Sequence, residues 1–329
     1  APLPPPAEPA AETSSLESEA EPEAQPASPV PRPTRVVGRL ADLLAGSGGE
    51  ASELAGEIMR IEIQAQSRWG LCVPAGREIV ATLPPGAREL VFAVAHRVAP
   101  SARLQARVQW LAAGEKEDRV LAEAEVSPVR FFWQEAKLAL SRSHDTAQRV
   151  RFSASTLDGS AAEICWASVR VFAAPAPDPR PDLVMILLDT LGEQNLRHPV
   201  SGSVLSPRLE EVLDGGFRFT QAFTPYGNTF TAHASLFSGV APRRHRAYPG
   251  SRFAGESSLI YRLASAGYTT EAIASGGYAS AAMGFAHGFD LWKDFSADSR
   301  SRQVFAAGQR SVRGLVRKQR RFVLFVHTY

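Results

Sequence analysis

The stretch Pro181-Asp182-Leu183-Val184-Met185-Ile186-Leu187-Leu188-Asp189-Thr190-Leu191 holds an unbroken apolar run that ends on a carboxylate. An apolar run without polar alternation is the pattern of a strand buried on both faces of a parallel sheet. Downstream of it strands and helices alternate. Ser206-Pro207-Arg208-Leu209-Glu210-Glu211-Val212-Leu213 predicts a helix, with Ser206 as N-cap, Pro207 at the first helical position and Gly215 as the stop. Residues 217–223 predict a strand, 258–266 a helix ended by Gly267, 269–274 a strand, about 302–320 a basic helix, and 322–326 another buried strand. Strand–helix alternation of this kind means an α/β domain with a mostly parallel sheet. The chain reaches Tyr329 directly after a core strand, so this domain is expected to be C-terminally incomplete.

Upstream of residue 181 the pattern is different. Ile61-Glu62-Ile63, Ile79-Val80-Ala81-Thr82-Leu83, Leu90-Val91-Phe92-Ala93-Val94 and Leu104-Gln105-Ala106-Arg107-Val108-Gln109-Trp110 read as short strands, and residues 149–154 and 169–172 follow suit. Turn signals such as Pro84-Pro85-Gly86 and Asp158-Gly159 separate them. Half-buried strands at short spacing describe an antiparallel β-sandwich. Residues 36–55 read as weakly helical, broken by Gly46, Gly48 and Gly49. The expected layout is therefore a two-domain chain: a tether at 1–35, a β-sandwich at 36–175, a proline-rich linker at 176–181 and an α/β domain at 182–329. The tether reading rests on composition. Residues 1–33 hold ten of the 24 prolines and six glutamates against one arginine, with no aromatic. Such a segment cannot bury enough apolar surface to offset its ordering entropy.

Composition limits what the chain can do. With 329 residues and 44% apolar content it has material for real cores. A net charge of +2 gives no electrostatic case for nucleic-acid binding. Two cysteines exclude a multi-cysteine zinc or iron–sulfur site, and no apolar run reaches bilayer length. Cys72 and Cys165 lie in early and late strands of the sandwich; two buried thiols are the expected state, and pairing needs neighbouring strands in an oxidising compartment.

Two short segments carry the chemistry. Asp189 stands at the carboxyl end of a parallel strand, where open α/β sheets gather functional groups, and a carboxylate there suits a hard cation. Capping the next turn is its plainer role. Asn228-Thr229-Phe230-Thr231-Ala232-His233-Ala234-Ser235-Leu236-Phe237-Ser238-Gly239 reads as a loop entering a short helix, with Thr229 near its N-terminus. Thr229 is either an N-cap or a nucleophile placed where free N–H groups favour an anion. His233 either faces that site or lies on the helix surface. His245 and His287 read as structural, and His327 as facing the same rim.

Taken together these segments resemble the sulfatase family of the alkaline-phosphatase superfamily. The resemblance runs through the opening strand, Gly216-Phe217-Arg218-Phe219-Thr220-Gln221-Ala222, the segment around Thr229, Gly239-Val240-Ala241-Pro242-Arg243-Arg244-His245, residues 263–270 and Gly288-Phe289-Asp290. It implies an alkaline-phosphatase-like fold and metal-assisted cleavage of sulfuric or phosphoric esters. In the family pattern Cys-x-Pro-Ser-Arg, Thr229 falls at the cysteine that becomes formylglycine and His233 at the arginine. Threonine cannot be converted that way but can attack directly, as in related phosphoryl-type transferases. The resemblance thus implies Thr229 and His233 as catalytic residues and Asp189 and Thr229 as ligands of a divalent ion, Ca, Mg, Mn or Zn. Thr190, Leu191 and Gly192 stand where a second carboxylate or an arginine is common in the family, with Glu193 as a substitute; further metal ligands belong beyond Tyr329. The implied partners are sulfate or phosphate esters, with a glycan or lipid head group. The expected setting is periplasmic or extracellular, and residues 1–35 read as a plain linker, or else as a spacer from a membrane tether upstream of residue 1. The rival is an inactive or truncated homologue that binds through its sandwich, for which Trp110, Phe131, Phe132 and Trp133 are candidate contacts.

Overall fold

The computed structural model describes residues 33–96, 104–112, 119–128, 132–140, 148–198, 200–219, 221–255, 258–296, 299 and 301–329. Residues 1–32, most of the expected tether, lie outside them, as does Phe131. Ten strands form the first part: β1 (Val36–Arg39), β2 (Met59–Ile63), β3 (Gln66–Pro74), β4 (Ile79–Thr82), β5 (Ala87–His96), β6 (Leu104–Ala112), β7 (Arg119–Val126), β8 (Gln134–Ala139), β9 (Gln148–Thr156) and β10 (Glu163–Ala173). All their pairings are antiparallel. β4, β9, β6 and β7 make one sheet; β3, β10, β5 and β8 lie side by side in another.

The period-two pattern explains why these sheets pack. In β6, Leu104, Ala106, Val108 and Trp110 are buried, while Gln105, Arg107 and Gln109 face out. The outward side chains pair with Glu123 and Glu125 of β7. Exposed pairs of this kind contribute little to stability. The inward ones join Phe92 and Trp166 from the opposite sheet in one core. Trp166 meets Phe152 at 5.3 Å and Phe92 at 6.0 Å between ring centroids, so each sheet supplies aromatics to the other. Trp110 belongs to this core, Trp133 is partly buried beside Arg68, and Phe132 is exposed.

The cysteines depart from the expected thiol state. Cys72 of β3 stands directly opposite Cys165 of β10 in the register, and the two form a disulfide. The sequence could not say that these strands are neighbours. The bridge closes a separation of 93 residues. We expect Cys72→Ala/Cys165→Ala to lower unfolding free energy by about 2–4 kcal/mol. Urea titration of oxidised and reduced protein beside the double variant checks this: reduction should destabilise only the parent.

The second part adds β11 (Leu183–Leu188), β12 (Thr269–Ala274), β13 (Leu291–Asp294) and β14 (Phe322–Thr328). They run parallel in the order β11-β14-β12-β13. β13 then pairs antiparallel with β3, Trp292 opposite Ser67 and Lys293 opposite Gln66. A single ten-stranded sheet therefore crosses the proline-rich segment at 176–181. That segment is itself tied down, since Arg180 binds Asp178, and Arg321 binds the Asp178 carbonyl and Asp182.

The helices of the first part are α1 (Leu40–Ala45) and α2 (Gly49–Leu54). Those of the second are α3 (Pro207–Asp214), α4 (Thr229–Ser238), α5 (Pro242–His245), α6 (Leu259–Ser265) and α7 (Ser301–Arg317). The basic helix α7 covers one face of β12 and β14 through Val304, Ala307 and Leu315. Phe230, Ala234 and Phe237 of α4 and Ile260 of α6 cover the other face. β14 is buried throughout.

Two expectations fail in this part. β11 is an edge strand with one face covered: Leu183, Met185 and Leu187 pack on the core, whereas Val184 and Ile186 are 50% and 57% exposed. An apolar run cannot distinguish an edge strand from a central one. Residues 217–219 and 221–223 form no strand, and Phe217, Phe219 and Phe223 project into solvent. A strand needs a partner for its ladder, and among the described residues none lies beside them.

Candidate active site

β11, β14 and β12 run parallel and end at one rim. Asp189 follows β11, and its N–H donates to the Thr328 carbonyl at 2.8 Å, extending the pairing by one residue. Thr190 then turns away with φ of 60°. A β-branched residue rarely adopts that left-handed backbone, and such strain gathers where a site over-determines the chain. Here it lets the chain leave the sheet immediately after the carboxylate.

Helix α4 brings the alcohol. Its N-cap is Asn228, whose side chain accepts from the Thr231 N–H, and Gly239 ends it with φ of 70°. Because Asn228 does the capping, Thr229 occupies the first helical position with its hydroxyl free to point at the rim. Thr229 Oγ1 donates to Asp189 Oδ2 at 2.9 Å. The two segments, 40 residues apart in sequence, thus meet in a direct hydrogen bond.

His327 of β14 brings Nε2 to 3.4 Å from the same Asp189 oxygen, and its other nitrogen is 3.5 Å from Ser275 Oγ. Burial lowers the His327 pKa, with the neighbouring Asp189 opposing that shift. Tyr329 stands beside this pair, its ring 5.1 Å from that of His327. Burial and the Asp189 charge raise its phenol pKa, and hydrogen bonding to Thr229 works the other way. The phenol oxygen lies where a side chain on Gly277 would fall, 2.7 Å from that position. Ser275 and Tyr329 were missed in the sequence; each directly follows the last residue of a parallel strand.

His233 sits one turn into α4. Its Nδ1 is 2.7 Å from the Thr229 carbonyl oxygen, so that nitrogen donates and the ring braces the first turn. Nε2 is buried without a partner among the described residues. The ring lies edge-on to His327 at 4.9 Å and against Phe285 and Phe325. Burial, followed by repulsion from His327, pushes its pKa down to about 4. The imidazole is therefore neutral at pH 7, and its contact is with the main chain of Thr229.

His245 and His287 lie apart from this cluster. His245 accepts the Ala247 N–H at Nδ1 and so donates from Nε2 to Ser235 Oγ, a loop-fixing role. His287 packs against Trp69 and Tyr261. Glu193 lies in the short turn Glu193–Leu196, and its side chain is outside the described set.

The rim can be tested as a cation site by its donors. Asp189 and Thr229 offer oxygens, and His327 adds a nitrogen beside the same carboxylate. Oxygen donors fit a hard dication and fill part of its shell. Among the described residues, a group of three His, Cys, Asp or Glu donors occurs only at Cys72, Glu163 and Cys165, where the sulfurs are bonded to each other.

Comparison with known proteins agrees with this region. The sulfatase family model matches residues 181–312. Arylsulfatase A of Bos taurus is 32% identical over 118 residues, which is 33% of this chain and 23% of the relative; the chain thus spans about a quarter of that protein's length. Solved structures with slight likeness include a Family 16 carbohydrate-binding module, at 10% identity and a TM-score of 0.22 over 33% of this chain and 85% of that one. Another is the C-terminal family 22 carbohydrate-binding module of Clostridium thermocellum Xyn10B, at 10% identity and a TM-score of 0.25 over 37% and 85%. Likenesses this slight decide nothing about fold or binding. The family match covers the strand that ends on Asp189 and the helix that opens with Thr229, so it is residues 181–312 that are similar to the sulfatase family.

Proposed function

We propose that the chain carries the nucleophile side of a sulfatase-like, metal-dependent ester-cleaving site that acts on phosphoric in preference to sulfuric esters. The observation that supports this reading is the 2.9 Å hydrogen bond from Thr229 Oγ1 to Asp189 Oδ2 at the sheet rim. A threonine hydroxyl is a weak nucleophile and needs an adjacent acceptor for its proton. Asp189 is that acceptor. As Thr229 Oγ1 bonds to phosphorus, the ester oxygen departs with its electron pair and the threonine proton passes to Asp189. His327, on the same oxygen, holds the carboxylate in place, and His233 keeps the first turn of α4 aligned through the Thr229 carbonyl. Asp189 and Thr229 would hold a divalent ion, which when bound supplies Lewis-acid polarisation of the ester oxygens. The oxygen of water or of an acceptor alcohol then bonds to phosphorus as the bond to Thr229 Oγ1 breaks; Thr229 recovers its proton from Asp189, and the attacking hydroxyl's proton goes to the departed ester oxygen through solvent, giving hydrolysis or transfer.

The substrate is read as an ester of a glycan or lipid head group, and the setting as periplasmic or extracellular. The disulfide supports that setting, because such bonds persist where the environment is oxidising. No helix among the described residues is long and apolar enough to cross a membrane.

Paired assays with 4-nitrophenyl phosphate and 4-nitrophenyl sulfate test the reading. With the full-length protein we expect phosphate release that stops with EDTA and returns with Mg, Mn, Ca or Zn, and sulfate release at least about tenfold slower. Cleavage of the sulfate ester alone would count against Thr229 as a direct nucleophile.

A further inference from the structure

A cavity lies away from the rim. It encloses about 550 Å³ between β1, α1, the end of α6 and the loop at 287–290. This volume is within the usual range for small-molecule sites, roughly 300–1,000 Å³. One wall is a row of rings: His287 is 5.1 Å from Trp69 and 5.4 Å from Tyr261 between centroids. Val37 and Ile58 add aliphatic surface.

Close backbone contacts fix the walls. Gly288, at φ of 87°, lies so near α6 that a Cβ would be 2.7 Å from the Tyr261 nitrogen. Gly267, at φ of 91°, presses on β1, where a Cβ would meet the Val36 carbonyl oxygen at 2.8 Å. Neither position admits a side chain, so the cavity walls are set by the packing of the chain itself.

The charges that line the cavity balance. Arg39 binds both carboxylate oxygens of Asp290 and the carbonyls of Ala264 and Tyr268, which takes up most of its donors. Arg35 and Asp42 add one charge of each sign. An anion or cation therefore finds no net attraction, whereas a flat ring finds aromatic faces and aliphatic walls. We propose that this cavity is a binding site for an uncharged, ring-bearing small molecule, separate from the ester-cleaving rim.

Titration with N-phenyl-1-naphthylamine, an uncharged fluorescent ring compound, tests this. We expect saturable one-to-one binding with Kd of about 100 µM or tighter. Tyr261→Ala should weaken it about tenfold by removing one ring. Ala41→Trp, which fills the cavity from an exposed helical position, should abolish it while the circular dichroism spectrum stays unchanged. Thr229→Ala should leave it unchanged, which separates this site from the rim. Three results would overturn the proposal: no saturable binding to the parent chain, binding unaffected by both Tyr261→Ala and Ala41→Trp, or tighter binding of the anionic 1-anilinonaphthalene-8-sulfonate.

Discussion

Thr229→Ala should lower turnover of a phosphate ester by about 10⁴-fold or more, with substrate KM little changed. The reason is that Thr229 carries the one hydroxyl hydrogen-bonded to Asp189 among the described residues, and alanine removes it. Alanine is a good helix former, and Asn228 still caps α4, so the fold should hold. Thr229→Ser keeps the hydroxyl and should retain activity within about tenfold of the parent. Asp189→Asn keeps the shape and removes the proton acceptor; we expect a loss of about 10²-fold or more. The measurement is steady-state cleavage of 4-nitrophenyl phosphate beside thermal unfolding of each variant. Equal loss in Thr229→Ser and Thr229→Ala would mean that the methyl group, and hence packing, is what matters at this position.

Arg39→Ala should cost about 3–5 kcal/mol of stability, the largest effect we expect from a residue outside the rim. Asp290 is almost wholly buried and accepts from Arg39, from the Thr270 N–H and from the Thr270 hydroxyl. Burial works against its charge, but Arg39 and Arg170 outweigh that and hold its pKa below the usual carboxylate value. Removing Arg39 leaves a buried carboxylate without its main counter-charge and two carbonyls without a donor. The pH dependence follows from the lowered pKa. Its contribution is complete above the unfolded carboxylate pKa of about 3.9 and is lost as pH falls through the lower folded value. In Arg39→Ala burial dominates and the Asp290 pKa rises, so the variant should lose stability at a higher pH than the parent. Urea unfolding at pH 7 and pH 5 reads both effects. A cost below about 1 kcal/mol at pH 7 would show that the pair is dispensable.

These two predictions draw on parts of the molecule that were unequally legible in the sequence. The helices near 207–214 and 259–265 could be read because their pattern agrees with cap or stop residues, and the strand at 269–274 and the helix at 301–317 could be read from residue pattern alone. Strands β7 and β8 could not: Arg-Val-Leu-Ala-Glu-Ala-Glu-Val and Gln-Glu-Ala-Lys-Leu-Ala are rich in helix formers, and they are strands because of their neighbours in the sheets. The antiparallel step from β13 to β3 was also illegible. It joins a four-residue strand to one more than 200 residues earlier, and long-range pairing leaves no local signature. The Arg39–Asp290 pair, which bridges the same two parts, was hidden for the same reason. At the rim, Asp189 and Thr229 stood out because each sits at the end of a recognisable element. His327 could be placed on the rim but not against Asp189, since nothing local told that β14 runs beside β11.

Peptide mass mapping of the protein quenched during turnover of a phosphate ester bears most directly on the pairing of Thr229 with Asp189. We expect one phosphoryl group on the Thr229 hydroxyl, with its level reduced in Asp189→Asn. Full turnover with Thr229 unmodified, or a phosphoryl group trapped on another side chain, would contradict it.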